Sequence, residues 1–189
     1  MPSLNFKIAG EPWEFEQIHR LVYQGFVEEI PYHSPNTEQR LVDRFHAENT
    51  YAIASDGGHV VGMCAIRDRR PFSLDQKLAN LDDYLPPHKK VGEFRLLFVL
   101  PAYRNGVVFR NLLDTLTTHS ISQGMDLAVL AGTTRQLRLY RHMGFIPFGP
   151  LVGAPGAQFQ PMYWTLNAAR SHIRWLSVLQ SNAPLPAAA

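Results

Sequence analysis

Two β-rich apolar runs, TYAIAS at residues 50–55 and HVVGMCAIR at 59–67, are separated only by Asp56-Gly57-Gly58. Asp and Gly tolerate the left-handed backbone of a tight hairpin turn, so the pair predicts two adjacent antiparallel strands. Any fold for this chain must be built around that hairpin. A first strand, LNFKIAG, precedes it, followed by a helix opened by Pro12 with Phe15, Ile18 and Val22 on one face. The turn-rich stretch EEIPYHSPNTEQ leads to TEQRLVDRFHAEN, which reads as a second, shorter helix. After the hairpin, Pro71, Pro86 and Pro87 bound a short possible helix, LDQKLANLDDYL.

EFRLLFV predicts a fourth strand, and Phe109, Leu112, Leu113 and Leu116 then recur at helical spacing up to about Gly124. DLAVLAG reads as a buried fifth strand. TTRQLRLYRHMGF reads as a helix with Thr133 and Gln136 as a capping box and Gly144 at its end. QPMYWTL is a late strand and AARSHIRWLSVL a final helix. This order implies an α/β fold, a mixed sheet with helices on both faces.

Composition excludes several classes. A chain of 189 residues with 46% hydrophobic and 18% charged residues reads as an ordinary globular domain. The net charge of +2 gives no argument for nucleic acid. No apolar run approaches the roughly 18 residues of a membrane span, and the N-terminus lacks signal-peptide regions, so a cytoplasmic protein is expected. Cys64 is the only cysteine, which removes disulfides. It sits in an apolar run and reads as a buried structural thiol. The eight histidines show no metal-ligand spacing, so no metal is expected.

The strand–VLPAYRNGVVFRNLL–helix segment and the RQLRLYRHMGF segment resemble two motifs of the GNAT superfamily of N-acyltransferases. The first matches that family's coenzyme A turn. The second matches its helix ending in Leu-Tyr-x-x-x-Gly-Phe. LVYQGFVEE, DRFHAENTYAIA, GGHVVGMCAIR, FSLDQKLANLDDYLP and EFRLLFV follow in an order similar to acyl-homoserine-lactone synthases and N-acyl amino acid synthases, the carrier-protein-dependent branch. The resemblance covers residues 4–166. It implies a GNAT-type, mostly antiparallel central sheet over residues 1–166, a C-terminal helix at 167–180 and an Ala/Pro-rich tail or linker at 181–189.

The resemblance also implies a reaction. An acyl group would pass from acetyl-CoA or another acyl-CoA to a small-molecule amine by direct attack in a ternary complex. The alternative donor is acyl-phosphopantetheine on an acyl carrier protein, and the rival from another class is a non-catalytic acyl-thioester-binding module. The Ala/Pro-rich end suggests a fused enzyme domain beyond it. Leu97, Phe98 and Val99 would line the pantetheine channel, with a strand N–H near the thioester carbonyl. Arg104, Asn105, Gly106, Val107, Val108, Phe109 and Arg110 would face the donor phosphates. The family turn reads R/Q-x-x-G-x-G/A, so Val107 and Phe109 stand where it has small residues. The Phe109 ring is expected to crowd the helix start. Tyr140 matches the tyrosine that donates to the leaving sulfur, with a phenol pKa near a thiol's. Glu93, matched to a glutamate opening the fourth strand in the carrier-dependent relatives, is the candidate base. Glu28 and Glu29 border the acceptor side and could hold its ammonium.

Overall fold

The computed structural model describes residues 4–104, 106–154 and 157–169. The expected terminal helix beyond Ala169 and the Ala/Pro-rich tail lie outside them. The described strands are β1 Asn5–Ile8, β2 Asn49–Asp56, β3 His59–Arg67, β4 Val91–Val99, β5 Leu127–Thr133, β6 Ile146–Pro147, β7 Val152–Ala154 and β8 Ala157–Thr165. They form one sheet in the order β1-β2-β3-β4-β5-β8-β6, with β7 on β8. All pairs are antiparallel except β4 with β5. The hairpin at residues 56–58 joins β2 to β3, and the GNAT-type sheet expected from sequence is present. The two short strands β6 and β7 carry no sequence signal of their own.

Helices α1 (Pro12–Tyr23) and α2 (Val107–Ser122) cover opposite faces. Because strand side chains alternate, Tyr51 and Ile53 of β2 pack with Ile18, Leu21 and Val22 of α1. Ala52 and Ala54 turn the other way, onto Leu112, Leu113 and Leu116 of α2. An apolar run without polar alternation is what a strand buried on both faces needs. A third cluster, around Phe72, Leu74, Leu78 and Leu81, packs on Val129 and holds the irregular segment before β4.

The first helix enters from β1 under a buried carboxylate: Glu14 accepts the N–H groups of Gly10 (2.8 Å) and Glu11 (3.0 Å) and the Lys7 ammonium (2.7 Å). It then widens into a π-helical segment, Gln24–Glu29, so the rod runs on beyond Tyr23.

The second helix expected over residues 37–49 does not form; the segment holds turns and a single 3-10 turn at His46–Glu48. Its polar groups are taken by distant partners instead. Leu41 N–H donates to the His19 carbonyl (3.1 Å), Arg40 pairs with Glu16 (2.9 Å), and Asp43 pairs with Arg95 (2.8 Å). These contacts displace i→i+4 bonding. LDQKLANLDDYL likewise reduces to turns and a 3-10 segment, Leu81–Tyr84, preceded by Asn80 at φ 53°.

His19 on α1 is buried at the centre of this polar region, 3.4 Å from His46 and 2.9 Å from Arg40. Burial, with help from His46 and Arg40, pushes its pKa from the ordinary 6.5 down to about 4. The unfolded chain therefore takes up a proton near pH 6.5 that the folded chain refuses until about pH 4. This contribution to stability is complete above pH 6.5 and lost as pH falls through 4. Urea midpoints measured from pH 7 to pH 4.5 should fall more steeply for wild type than for His19→Gln; equal slopes would show that His19 titrates normally in the fold.

Candidate active site

Pairing between β4 and β5 covers only Val91↔Leu127, Gly92↔Ala128 and Glu93↔Val129. Beyond Glu93 no register pairs join the two strands, while β4 stays on β3. The β3–β4 ladder carries a bulge: Ala65 faces Arg95 and Met63 faces Phe98, so Leu96 and Leu97 together oppose Cys64. Leu96 sits at φ 53°, a left-handed conformation costing a branched residue about 1–3 kcal/mol. The opening beside the bulge is a cavity of about 430 Å³. Its walls are Leu97, Phe98 and Val99 on one side and Leu130, Ala131 and Thr133 on the other.

Helix α2 closes one end with Phe109 and Leu113, and the π-helical segment closes another with Phe26 and Glu29. Helix α3, Leu137–His142, supplies Leu139 and Tyr140. A 3-10 turn, Thr134–Gln136, precedes it, and Thr133 makes no side-chain cap hydrogen bond, so the expected capping box is absent. Its end is as expected: Gly144 takes φ 86° and closes the turn onto Arg141. The Tyr140 ring lies against Gly132 of β5, where an added Cβ would stand 3.0 Å from the ring.

Burial, aided by the nearby Cys64 and Tyr32, pushes the Tyr140 phenol up to about 12. Burial pushes the Cys64 thiol up to about 12 as well. Both are neutral across the ordinary range, so at this part of the wall the phenol and the thiol stand as protonated groups, and the wall's carboxylate, Glu29, is paired with Arg104. Among the described residues no cluster of His, Cys, Asp and Glu is placed to hold a metal ion.

The structure gathers Leu97, Phe98, Val99, Arg104, Gly106, Phe109, Tyr140 and Glu29 around this one cavity. Gly106, at φ 85°, turns the chain into α2. Phe109 stands in the first turn of that helix, half-buried, with its ring on the cavity wall. Val108 is fully buried in the core instead. Val107, Arg110 and Glu28 are not wall residues, and Asn105 lies outside the described residues. Arg104 does not stand ready for a phosphate: its Nε donates to the Val99 carbonyl (2.8 Å) and a terminal nitrogen to Glu29 (2.5 Å).

Glu93 is absent from the wall. Its carboxylate is buried and accepts from Ser73 N–H (2.9 Å), Ser73 Oγ (2.6 Å), Leu74 N–H (3.0 Å) and Arg95 (3.3 Å). Both oxygens are occupied, and the geometry gives it a holding role rather than reach to a substrate nitrogen. Phe26, Ile30, Gln136 and Phe159 escape sequence reading: the first two lie on the π-helical segment and its cap, Gln136 on a 3-10 turn, and Phe159 on β8 just ahead of the run read as a strand.

Residues 17–165 match the family model described as N-acyl amino acid synthase FeeM. No curated protein is a detectable sequence relative. Among solved structures, the CoA-dependent acyl-homoserine lactone synthase BjaI, with SAM and isopentyl-CoA, superposes with a TM-score of 0.79 at 19% identity, covering 97% of this chain and 92% of that one. The acyl-homoserine lactone synthase LasI gives 0.71 at 16% identity over 92% and 95% of the two chains. FeeM, an N-acyl amino acid synthase from uncultured soil microbes, gives 0.67 at 16% identity over 94% and 98%. At these identities the superpositions speak for the fold.

Replacing Glu93 by Gln puts an amide NH2 against the donors that bind the carboxylate. The expected cost is about 2–4 kcal/mol. Chemical denaturation should show it. The pH–rate profile of the folded variant should keep its shape; a displaced rising limb would instead return Glu93 to the role of base.

Proposed function

The chain belongs to the N-acyl amino acid synthase FeeM family and is an N-acyltransferase, and on that premise we propose that it joins an acyl chain longer than acetyl to the amine of an amino acid. One observation carries the reading: an apolar cavity of about 430 Å³ between the splayed β4 and β5, with the Tyr140 phenol in its wall. With the pantetheine arm along Leu97–Val99, an acetyl group would leave the part lined by Leu113, Leu130 and Phe145 to water. Each further methylene buried there is worth about 0.8 kcal/mol.

In this reading the pantetheine arm lies along Leu97–Val99, its phosphate end toward Arg104 and Gly106. A main-chain N–H freed at the β4 bulge holds the thioester oxygen. The amine nitrogen attacks the carbonyl carbon, the new C–N bond forms, and the C–S bond breaks. Before attack the acceptor ammonium gives up one proton to water at the cavity mouth. On amide formation the nitrogen loses a second, which the departing sulfur takes up through solvent to leave as thiol, while Tyr140 donates a hydrogen bond to that sulfur. Glu93 acts from behind, holding Arg95 and the 73–74 turn.

Either coenzyme A or a carrier protein could present such a donor, and Phe109 favours the carrier. Phe109 stands in the first turn of α2 at a position where the family's turn keeps a small residue for close approach of two phosphates, whereas a carrier-bound arm brings one. A cytoplasmic location fits either donor, and no helix among the described residues is long and apolar enough to cross a membrane.

Thiol release from acyl-CoA and acyl-carrier substrates of two to twelve carbons, with an equimolar amino-acid mixture and mass spectrometry of the products, tests the proposal. N-acyl amino acids formed fastest from chains of more than two carbons are expected; acetyl as the best donor would reject it. Tyr140→Phe should lower turnover by about 10²-fold or more with unchanged donor affinity. Because the phenol is pushed up to about 12, no alkaline fall in wild-type rate should be assignable to it below about pH 11. Retention of most turnover by the variant would remove Tyr140 from the chemistry.

A further inference from the structure

We infer that Glu29 and Arg104 form an exchangeable pair that orders substrate binding: the donor's phosphate displaces Glu29 from Arg104, and the freed carboxylate takes the acceptor's ammonium. The inference rests on the donor placement proposed above.

Both residues border the same cavity, from elements far apart in sequence. Arg104 is held by two fixed features of β4, the Val99 carbonyl at 2.8 Å and the Phe98 ring, whose centroid lies 5.4 Å from the guanidinium carbon. Glu29 reaches it with one carboxylate oxygen at 2.5 Å. The guanidinium is therefore the anchored partner and the glutamate the movable one. Glu29 is the last residue of the π-helical segment, at the C-terminal end of the rod begun by α1. A helix C-terminus carries partial negative charge, which disfavours a carboxylate and favours a cation beside it. Arg104 supplies that cation in the resting protein.

The pair is open to replacement. Both side chains are about 40% exposed (41% and 42%), and ion pairs so placed are weak. A phosphate offers Arg a bidentate, more strongly charged partner than one carboxylate oxygen. Once it binds, Glu29 loses its cation while still bordering the cavity. An amine acceptor, positively charged before attack, restores one. Before the donor arrives, Arg104 fills that position and keeps the ammonium out. The amine therefore binds second, onto a site that already holds its thioester.

The probe is 4′-phosphopantetheine, the part shared by coenzyme A and carrier proteins, titrated calorimetrically into wild type, Glu29→Gln, Arg104→Gln and the double variant. Glu29→Gln should bind it about two- to five-fold tighter, the range of a half-exposed ion pair. Arg104→Gln should bind it about ten-fold more weakly, the loss expected of a charged hydrogen bond, and adding Glu29→Gln to that variant should change nothing. In turnover, Glu29→Gln should raise the half-saturating concentration of an equimolar amino-acid mixture at least about ten-fold, again as for a lost charged contact, so that donor and acceptor affinities move in opposite directions. Unchanged probe affinity in Glu29→Gln, with weakened binding in Arg104→Gln, overturns the exchange and leaves the donor placement standing. Equal affinity in wild type and Arg104→Gln overturns the donor placement and the exchange together. Tighter probe binding with unchanged amino-acid saturation overturns the acceptor half.

Discussion

Glu93 is the last residue of β4 paired to β5, and its buried carboxylate would be prohibitively costly without partners. Two main-chain N–H groups, one hydroxyl and one guanidinium meet that requirement. Satisfying the carboxylate fixes the Ser73–Leu74 turn against the sheet and holds Arg95, which in turn reaches Asp43 (2.8 Å). Just past this knot β4 bulges and the strands part. A sheet interrupted at its centre exposes apolar side chains on both lips of the gap, and those lips become the cavity walls. The cavity thus depends on a polar cluster that meets its wall only at Arg95. The left-handed Leu96 survives because ladder pairing resumes on both sides, Arg95 with Ala65 and Phe98 with Met63.

What could be read from sequence follows the range of the determining contacts. The β2–β3 hairpin, the β4–turn–α2 unit and the Gly144 helix stop are decided by neighbouring residues, and all three stand where expected. Residues 37–49 and 74–85 are not locally determined. Their helical patterns are outbid by Glu16, His19, Glu93 and Arg95, partners lying roughly 20 to 50 positions away.

The same distinction runs through the site. Leu97, Phe98, Val99 and Tyr140 lie on elements with strong local signals, and the cavity forms around them. Glu93 was legible as a strand-opening carboxylate, but which way it faces is set by a turn twenty residues earlier. Phe26 lay beyond what spacing could show, because helical periodicity gives no warning of the π-helical widening; Glu29 was legible only as one of an acidic pair with Glu28, of which it alone reaches the wall. That widening changes which side chains of residues 24–29 meet β4.

Tyr140 and its intended partner illustrate how a shared environment alters a simple pKa comparison. In water a phenol near 10 and a thiol near 8.5 are loosely matched for proton exchange. Burial moves the phenol to about 12, which taken alone would make it a poor proton source for a thiolate. In the proposed reaction, however, the leaving sulfur would depart into the same desolvated space. Cys64, a buried thiol on β3 that also lines the cavity, is pushed in the same direction by burial, up to about 12. Both anions are penalised in the same direction, so the match between donor and acceptor survives desolvation. A neutral phenol held against Gly132 and a leaving thiolate destabilised by the same desolvation would be better matched than the phenol's shift alone suggests. On this view the apolar wall does chemical work: it selects the acyl chain and also keeps the leaving sulfur basic enough to accept the phenol's hydrogen bond.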